Sequence, residues 1–385
     1  MKIYIFTEVY FPNLTSSGYF LTEIAEHLAL NNNVTVITTG SITDPKFSVL
    51  NGVNLIRLKT SVFNKHNLLK RLTGFFNISF LFYKEAYKLK IEKTSHVIVV
   101  TNPALFIPFI SYLKNKFKFK LTFIVHDVFP EILVASKIVS SNNPLYLILL
   151  KIFKKSYNKA DQIIVCGRDM QLLFQNKLRE YKGIIKFIPN WADGKLINFN
   201  SKKKSILPKN KLVFQYAGNI GLAQGIPSLI DAIEKINSPQ VEFHFYGKGA
   251  HLNYVLQSLG KNIFYKGTFS RQESNEYLSL CDISIVTLQK SMLGLGVPSK
   301  TYNILCAGKP ILYIGNLNSE IAILIKENNL GYISEPGNLD SIRDGIKWFL
   351  NLNSEEMLSI QANCRNIILN KYLKEKVLLQ YSELI

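Results

Sequence analysis

The chain has 385 residues, of which 47% are hydrophobic, and 46 Lys+Arg against 27 Asp+Glu give it a formal net charge of +19. That length exceeds a single ordinary core and fits two domains, and so much apolar content excludes a disordered polyelectrolyte. The four cysteines, Cys166, Cys281, Cys306 and Cys364, lie far apart without a C-x-x-C or Cys/His cluster, which excludes a disulfide framework or zinc site and suits a reducing compartment.

The charge is uneven. Residues 1–200 hold 26 basic against 12 acidic side chains, and residues 201–385 hold 20 against 15. A basic excess in one half predicts that this half faces a polyanion, either nucleic acid or an anionic membrane. The segment Met1–Glu8 reads as a first β-strand, without the apolar region and cleavage site of a signal peptide. The longest uncharged apolar run, Val97 to Leu113, is interrupted by Asn102, Pro103 and Pro108, so no transmembrane helix is expected. A cytoplasmic protein follows as the expectation.

Residues 1–40 read as strand, loop, helix and strand. Ile3 and Ile5 lie in the first strand, the loop runs from Phe11 to Gly18, and Leu21, Ile24, Ala25 and Leu28 mark the buried face of the helix. Gly18 either lets the loop backbone approach a ligand at the carboxyl edge of a sheet or simply eases the turn. Residues 62–93 combine Phe63, Leu68, Leu69, Leu72, Phe75, Phe76, Ile78, Phe80, Leu81 and Phe82 with seven cations and two acids, and Pro144–Lys159 repeats that composition. These stretches are either membrane-surface helices, the first a helical pair, or helices with core-facing aromatics and a solvated lysine face. Leu121–Val125 reads as a buried strand, and His126-Asp-Val-Phe-Pro-Glu131 stands directly beyond it. A His and carboxylates at that edge fit ligand or proton chemistry, although a lone His is also commonly structural.

Asp161–Cys166 is a further strand, Ile185–Asp193 closes the half, and the polar, basic stretch 198–211 reads as a linker. The second half opens with the apolar run Leu212–Ala217, then Gly218, Asn219, Gly221 and Gly225. A helix follows, with Pro227 in its first turn and Leu229, Ile230, Ile233 and Ile236 on one face. A strand feeding a helix through such a turn predicts a phosphate or diphosphate site, since the first helical amides lack partners. It is neither G-x-x-x-x-G-K-[ST] nor G-x-G-x-x-G, which excludes the ATPase and dinucleotide readings. Strands at Val241–Tyr246, Asn262–Gly267, Cys281–Val286 and Lys309–Ile314 alternate with helices and predict a second parallel sheet. Between the last two strands, Gly294–Lys300 leads into a helix at 301–307, which Ser299 would cap and to which Lys300 would bring a cation. From about Gln361 to Ile385 an amphipathic helix is expected.

Several of these stretches together resemble family 4 glycosyltransferases: Tyr216-Ala-Gly-Asn-Ile-Gly221 with Ala223-Gln-Gly225, His126–Glu131, Ile188-Pro-Asn-Trp191 with Asp193, and Val297-Pro-Ser-Lys300 with Ala307-Gly-Lys-Pro310. The nearest branch is that of colanic-acid, O-antigen and capsule enzymes, which includes L-fucosamine transferases. The resemblance implies an α/β GT-B fold, two Rossmann-like domains with parallel sheets facing a central cleft. Residues 1–197 would bind the acceptor, 212–361 would bind the nucleotide sugar, and the helix 362–385 would pack back on the first domain. It implies a retaining, metal-independent and cofactor-free transfer from a nucleotide-diphosphate sugar, most simply a UDP-linked N-acetylated hexose or 6-deoxyhexose. The acceptor would be a lipid-diphosphate-linked saccharide or growing polysaccharide, met at the inner face of the cytoplasmic membrane.

By the same resemblance Gly18, Gly218, Asn219, Gly221, Gln224, Gly225, Gly296, Pro298, Ser299 and Lys300 would contact the donor's diphosphate and sugar. Gly267 would lie at the base and Asn303 at the ribose. His126, with Asp127 beside it, would stand at the anomeric carbon, and Glu131 would meet the acceptor. Two departures stand out. Leu295 and Asn303 occupy positions where many members have glutamates, and Leu222 and Gln224 stand where Arg and Lys commonly follow the glycine turn. Lys300 or Lys248 would then supply the missing cation. The rival readings are a GT-B nucleotide-sugar epimerase, which would act on donor alone, and a basic nucleic-acid-binding protein, for which no recognised module is present.

Overall fold

The structure is a computed structural model that describes every residue except Leu14, Ile42, 61–67, 195–210, Asn237, Lys261 and Arg271, with residues 68–72 given by their backbone alone. The chain divides into two units. Unit 1 is Met1–Pro189 with Gly294–Gly296 and Leu378–Ile385, and unit 2 is Asn190–Leu293 with Val297–Val377. Apart from Lys211, the expected linker 198–211 lies outside the described residues.

Unit 1 runs β1 (Lys2–Phe6), α1 (Ser16–Ala29), β2 (Asn33–Gly40), β3 (Phe47–Leu50), β4 (Val53–Lys59), α2 (Leu68–Lys88), β5 (His96–Val100), α3 (Phe106–Phe117), β6 (Lys120–Val125), α4 (Glu131–Ala135), α5 (Pro144–Tyr157), β7 (Gln162–Val165), α6 (Arg168–Lys177) and β8 (Ile184–Phe187). The strands lie in the order β3-β4-β2-β1-β5-β6-β7-β8, parallel except for the antiparallel edge pair β3–β4. β5 is His-Val-Ile-Val-Val with all five residues buried, the continuous run expected of a strand covered on both faces. Edge strand β3 instead leaves Phe47 and Val49 exposed. The steps β1→α1→β2 and β5→α3→β6 travel in opposite directions across the sheet. Right-handed crossovers therefore place α1 on one face and α3 on the other. On that second face α2 meets α3 through Tyr83 and Phe109, and α3 meets α5 where the Ser111 hydroxyl donates to the Ser156 carbonyl at 3.1 Å. Where a helical pair was expected over 62–93, the described part is the single helix α2.

Unit 2 runs β9 (Leu212–Ala217), α7 (Ile226–Glu234), β10 (Val241–Tyr246), α8 (Leu252–Gln257), β11 (Ile263–Tyr265), α9 (Ser274–Ser279), β12 (Ile283–Thr287), α10 (Lys300–Cys306), β13 (Ile311–Ile314), α11 (Glu320–Asn328), β14 (Gly331–Ser334), α12 (Leu339–Leu350) and α13 (Ser354–Ile367). Its six strands are all parallel, in the order β11-β10-β9-β12-β13-β14. As the 3.6-residue spacing predicts, α7 buries Leu229, Ile230 and Ile233, in one core with Phe214, Phe243 and Phe349. Both sheets are doubly wound. Their winding reverses between β1 and β5 in unit 1 and between β9 and β12 in unit 2, and ligands of such sheets sit at the carboxyl ends of those strands.

The expected continuous C-terminal helix is broken. After α13 comes a π-helical turn at Ile368–Tyr372, then extended Leu373 (φ −70°, ψ 146°), and only then α14 (Lys374–Leu384). Backbone pairing outside the helix causes the break. The Ala192 N–H donates to the Tyr372 carbonyl at 2.9 Å, and the Lys374 N–H donates to the Ala192 carbonyl at 3.2 Å. Within unit 1 the final residues are held by a buried side-chain ladder. His96 Nε2 lies 2.7 Å from Thr122 Oγ1, the Thr122 hydroxyl donates to Gln162 at 2.9 Å, and the Gln162 amide donates to the Leu384 carbonyl at 3.1 Å.

Candidate functional site

In unit 2 the chain leaves β9 at Gly218, whose φ of +148° is open to glycine but strained for other residues. Its N–H donates to the Tyr246 carbonyl at the end of β10 (3.0 Å). Gly247 follows β10 with φ +132°, and a Cβ there would stand 1.8 Å from the Gly218 carbonyl oxygen. Two glycines thus let neighbouring strand ends close on each other. Gly247→Ala should force them apart and cost about 2–4 kcal/mol, read by denaturant unfolding.

The turn that follows is fixed from three strand ends. The Ile220 N–H donates to the Lys248 carbonyl, and the His251 N–H to the Ile220 carbonyl, each at 2.9 Å. From the end of β12, the Thr287 hydroxyl donates to the Gln224 carbonyl, and Gln289 donates its backbone N–H to Ala223 and its side-chain amide to Leu222, both at 2.8 Å. The Tyr216 hydroxyl donates to the Asn219 carbonyl. A short 3₁₀ turn, Leu222–Gln224, ends at Gly225 (φ +63°), which opens α7. The turn is therefore a rigid frame. Its amides at Asn219 and Gly221 donate to no described residue.

Lys300 stands against this frame. Its Nζ lies 3.7 Å from the centroid of the Tyr216 ring, and a Cβ on Gly218 would stand 3.4 Å from it. Among the described residues Nζ has no hydrogen-bond partner, and burial lowers its pKa to about 7. A buried ammonium without a counter-charge is costly, so this arrangement is poised for an anion. Gln224 Oε1 is likewise buried and unpartnered. Lys248, the other candidate cation, is exposed and contributes its backbone carbonyl.

The remaining candidates in unit 2 lie around that centre. The Gly267 carbonyl (φ +85°) accepts the Gly247 N–H at 2.8 Å. Asn303 Oδ1 accepts the Asp193 N–H at 3.4 Å, and the Pro298 carbonyl accepts the Thr301 N–H at 3.2 Å. Ser299 does precede α10, but its side chain makes no capping bond. Its backbone is already helical (φ −63°, ψ −24°), not the extended form that aims an N-cap hydroxyl at the helix.

In unit 1 Thr101, at the end of β5, accepts on its Oγ1 the N–H groups of His126 (3.2 Å) and Asp127 (3.3 Å). His126 is half-buried, and desolvation lowers its pKa to about 4, so the imidazole is neutral at pH 7. Exposed Asp127 forms an antiparallel bridge with Gly296, and the Val128 N–H donates to the Leu295 carbonyl at 3.0 Å. The Gly294 N–H donates to Asp169 Oδ2 at 3.1 Å. Gly294–Gly296 is thereby knitted along the His126 segment, with the Leu295 side chain buried.

Glu131, the expected acceptor contact, is ion-paired to Lys177 at 2.7 Å, and its other oxygen is buried with no partner among the described residues. Gly18 lies inside α1, not in the preceding loop. A Cβ there would meet the Asn13 carbonyl oxygen at 2.1 Å, so the chain's own backbone accounts for this glycine. Among the described residues no three His, Cys, Asp or Glu side chains converge as a metal site.

Sequence reasoning missed Thr101, Asp169, Thr287, Gln289 and the Tyr216 ring. Thr101 and Thr287 carried a usable signal, a polar residue ending an apolar run at a carboxyl edge. Asp169 and Gln289 act through contacts distant in sequence.

The model of the family "Glycosyl transferases group 1" matches residues 198–366. WbjE of Pseudomonas aeruginosa, named as a probable glycosyltransferase, is 34% identical over 268 residues, 66% of this chain and 66% of that protein. WcaI of Escherichia coli (strain K12), named for colanic acid biosynthesis glycosyl transfer, is 24% identical over 246 residues, 59% of this chain and 58% of that protein. The matched regions thus span about two thirds of these relatives or less. Among solved structures, sucrose-phosphate synthase from Thermosynechococcus elongatus superposes with a TM-score of 0.77 at 16% identity, covering 100% of this chain and 98% of that one. Anabaena Alr3699/HepE in complex with UDP superposes with a TM-score of 0.69 at 15% identity, covering 100% and 99%. These likenesses bear out the two-unit GT-B fold and the resemblance read from the motifs, and the chain belongs to the group 1 glycosyl transferases.

Proposed function

We propose that the chain transfers a sugar from a nucleotide-diphosphate donor, most simply a UDP-linked N-acetylated hexose or 6-deoxyhexose, to a lipid-linked or growing cell-surface polysaccharide. One observation carries this reading: the buried, unpartnered Lys300 ammonium beside the Gly218 turn. It matches the need of a departing diphosphate for fixed positive charge, and the turn's amides add preorganised donors. Solved complexes of Anabaena HepE hold UDP and UDP-glucose, and WcaI is named for colanic acid biosynthesis, which supports both halves of the proposal.

In this mechanism the Gly218 turn and Lys300 grip the diphosphate, His126 meets the donor sugar, and the acceptor hydroxyl is the nucleophile. The carbon–oxygen bond to the diphosphate breaks as the acceptor hydroxyl attacks from the same face, and the departing oxygen takes the hydroxyl's proton. Configuration is retained without a metal. Neutral His126 orients the donor sugar, and Asp127 stands beside it. The enzyme would work in the cytoplasm at the inner membrane face.

A thermal-shift series with UDP, GDP and ADP tests the donor half, because a ligand that binds only the folded state raises the melting temperature. A rise with UDP is expected, and no rise with any of the three would overturn the reading. Incubation with donor alone distinguishes transfer from epimerisation, since a transferase leaves the donor sugar's configuration unchanged.

A further inference from the structure

We propose that the outer face of α2, α3 and α5 is a docking surface that lays unit 1 on an anionic lipid bilayer. It deepens the membrane-borne acceptor of the proposed function and is argued from unit 1 alone.

The inner stripe of α5 is ordinary, with Tyr146, Phe153 and Tyr157 buried. Its outer stripe is not. Leu145 is 64% exposed, Ile148 55% and Ile152 41%, spaced to lie on one side of the helix. A helix apolar on both sides has one side to spare for something other than its own core. The same holds next door, where Tyr112 of α3 is 60% exposed and Phe76 of α2 is 52% exposed. These helices pack side by side, and Phe76 also touches Phe109 of α3 edge-on at 6.3 Å. Single exposed apolar side chains need no explanation, but a patch across three adjacent helices does.

Charge selects the occupant. Lys151, Lys154 and Lys155 are exposed on α5, Lys116 on α3, and Lys84 and Lys88 on α2. Neither α3 nor α5 carries an acid, and the one acid of α2, Glu85, faces Lys46 at 3.7 Å. Lys84 Nζ lies 4.6 Å from the Phe80 ring, and Lys116 Nζ lies 4.4 Å from the Tyr87 ring. Exposed rings with ammonium groups beside them match a headgroup boundary, where aromatics lodge and lysines meet lipid phosphates. Among the described residues no helix is long and apolar enough to cross a membrane, so the surface would lie on the bilayer.

The test is flotation of the full chain with vesicles of phosphatidylcholine, with and without phosphatidylglycerol. Binding to the anionic vesicles alone is expected. Joint substitution Lys151→Glu, Lys154→Glu and Lys155→Glu should weaken it at least roughly a hundredfold, about fivefold per lysine. Leu145→Ser with Ile148→Ser should abolish it. A tryptophan introduced by Ile148→Trp should be quenched by brominated lipid, whereas one introduced by Leu30→Trp, at the C-terminal cap of α1 across the sheet, should not. All variants should keep the wild-type melting temperature and UDP response, which separates this surface from the donor site. Wild-type protein that ignores anionic vesicles, or variants that float unchanged, would overturn the proposal. So would a dimer in sedimentation velocity that these variants dissolve, because the face would then bind a second copy.

Discussion

Lys300→Met should weaken UDP binding by about a hundredfold, roughly 3 kcal/mol for a charge-assisted contact in a desolvated site, and should also make the ligand-free protein more stable. The two effects have one cause. In the free protein the ammonium lies against the Tyr216 ring with no hydrogen-bond partner among the described residues, so methionine fills the space and removes the penalty. A gain of about 1 kcal/mol is expected, seen as a melting temperature a few degrees higher. Such a trade of stability for function is what a binding site held ready for an absent charge should show. Lys248→Met, at an exposed side chain, should change neither property much.

The pH dependence gives an independent reading. The folded-state pKa of Lys300 is lowered from 10.5 to about 7, by burial. Between those values the unfolded chain keeps a proton that the folded chain has released. Stability must therefore rise with pH through that window, and the penalty is fully present below about pH 7. Tyr216, the titratable group that Nζ faces, has its pKa raised by burial and stays neutral throughout. Binding has the opposite slope. Above about pH 7 the lysine must take up a proton to meet the diphosphate, so affinity should fall by about tenfold per pH unit. Calorimetry at pH 8 in two buffers of different ionisation enthalpy should show close to one proton taken up, and none for Lys300→Met. A pH-independent affinity, or a methionine variant that binds UDP like the wild type, would remove Lys300 from the site.

The Gly218 turn was legible because an apolar run, a glycine and a helix with a 3.6-residue face are all local signals. The alternation of strands and helices likewise located the carboxyl edges where Gly218 and His126 stand. What was illegible depended on partners distant in sequence. Lys300 and Lys248 were equal candidates until the Tyr216 ring, 84 positions before Lys300, was seen beneath one of them. Gly18 gave the same signal as Gly218 for a different reason, the Asn13 carbonyl packed against its Cα. The apolar periodicity of the last segment runs straight through Leu373, and only pairing with Ala192 breaks the helix there. Glu131 looked like a free carboxylate beside His126, and the fold instead sets Lys177 against it.

His126→Ala should lower kcat by about a hundredfold to a thousandfold while leaving UDP affinity intact, as expected for a group acting on the sugar and not on the diphosphate. The backbone of His126 is pinned by Thr101 Oγ1, so the side chain starts from a fixed base. Its imidazole has a pKa lowered to about 4, by desolvation, and is neutral across the physiological range. A neutral ring that orients a hydroxyl leaves no inflection near the ordinary histidine value, and the acid limb of kcat should begin only as pH falls toward about 4. His126→Asn, which keeps a hydrogen-bonding side chain that does not titrate, should recover part of the loss and should lack the wild type's limb toward pH 4. A group that takes the acceptor's proton would behave differently. Its protonation would appear as an acid limb in the wild type, and asparagine could not restore the rate. A wild-type limb centred near pH 6.5 that disappears in both variants would therefore make His126 the base and displace the departing diphosphate oxygen from that role.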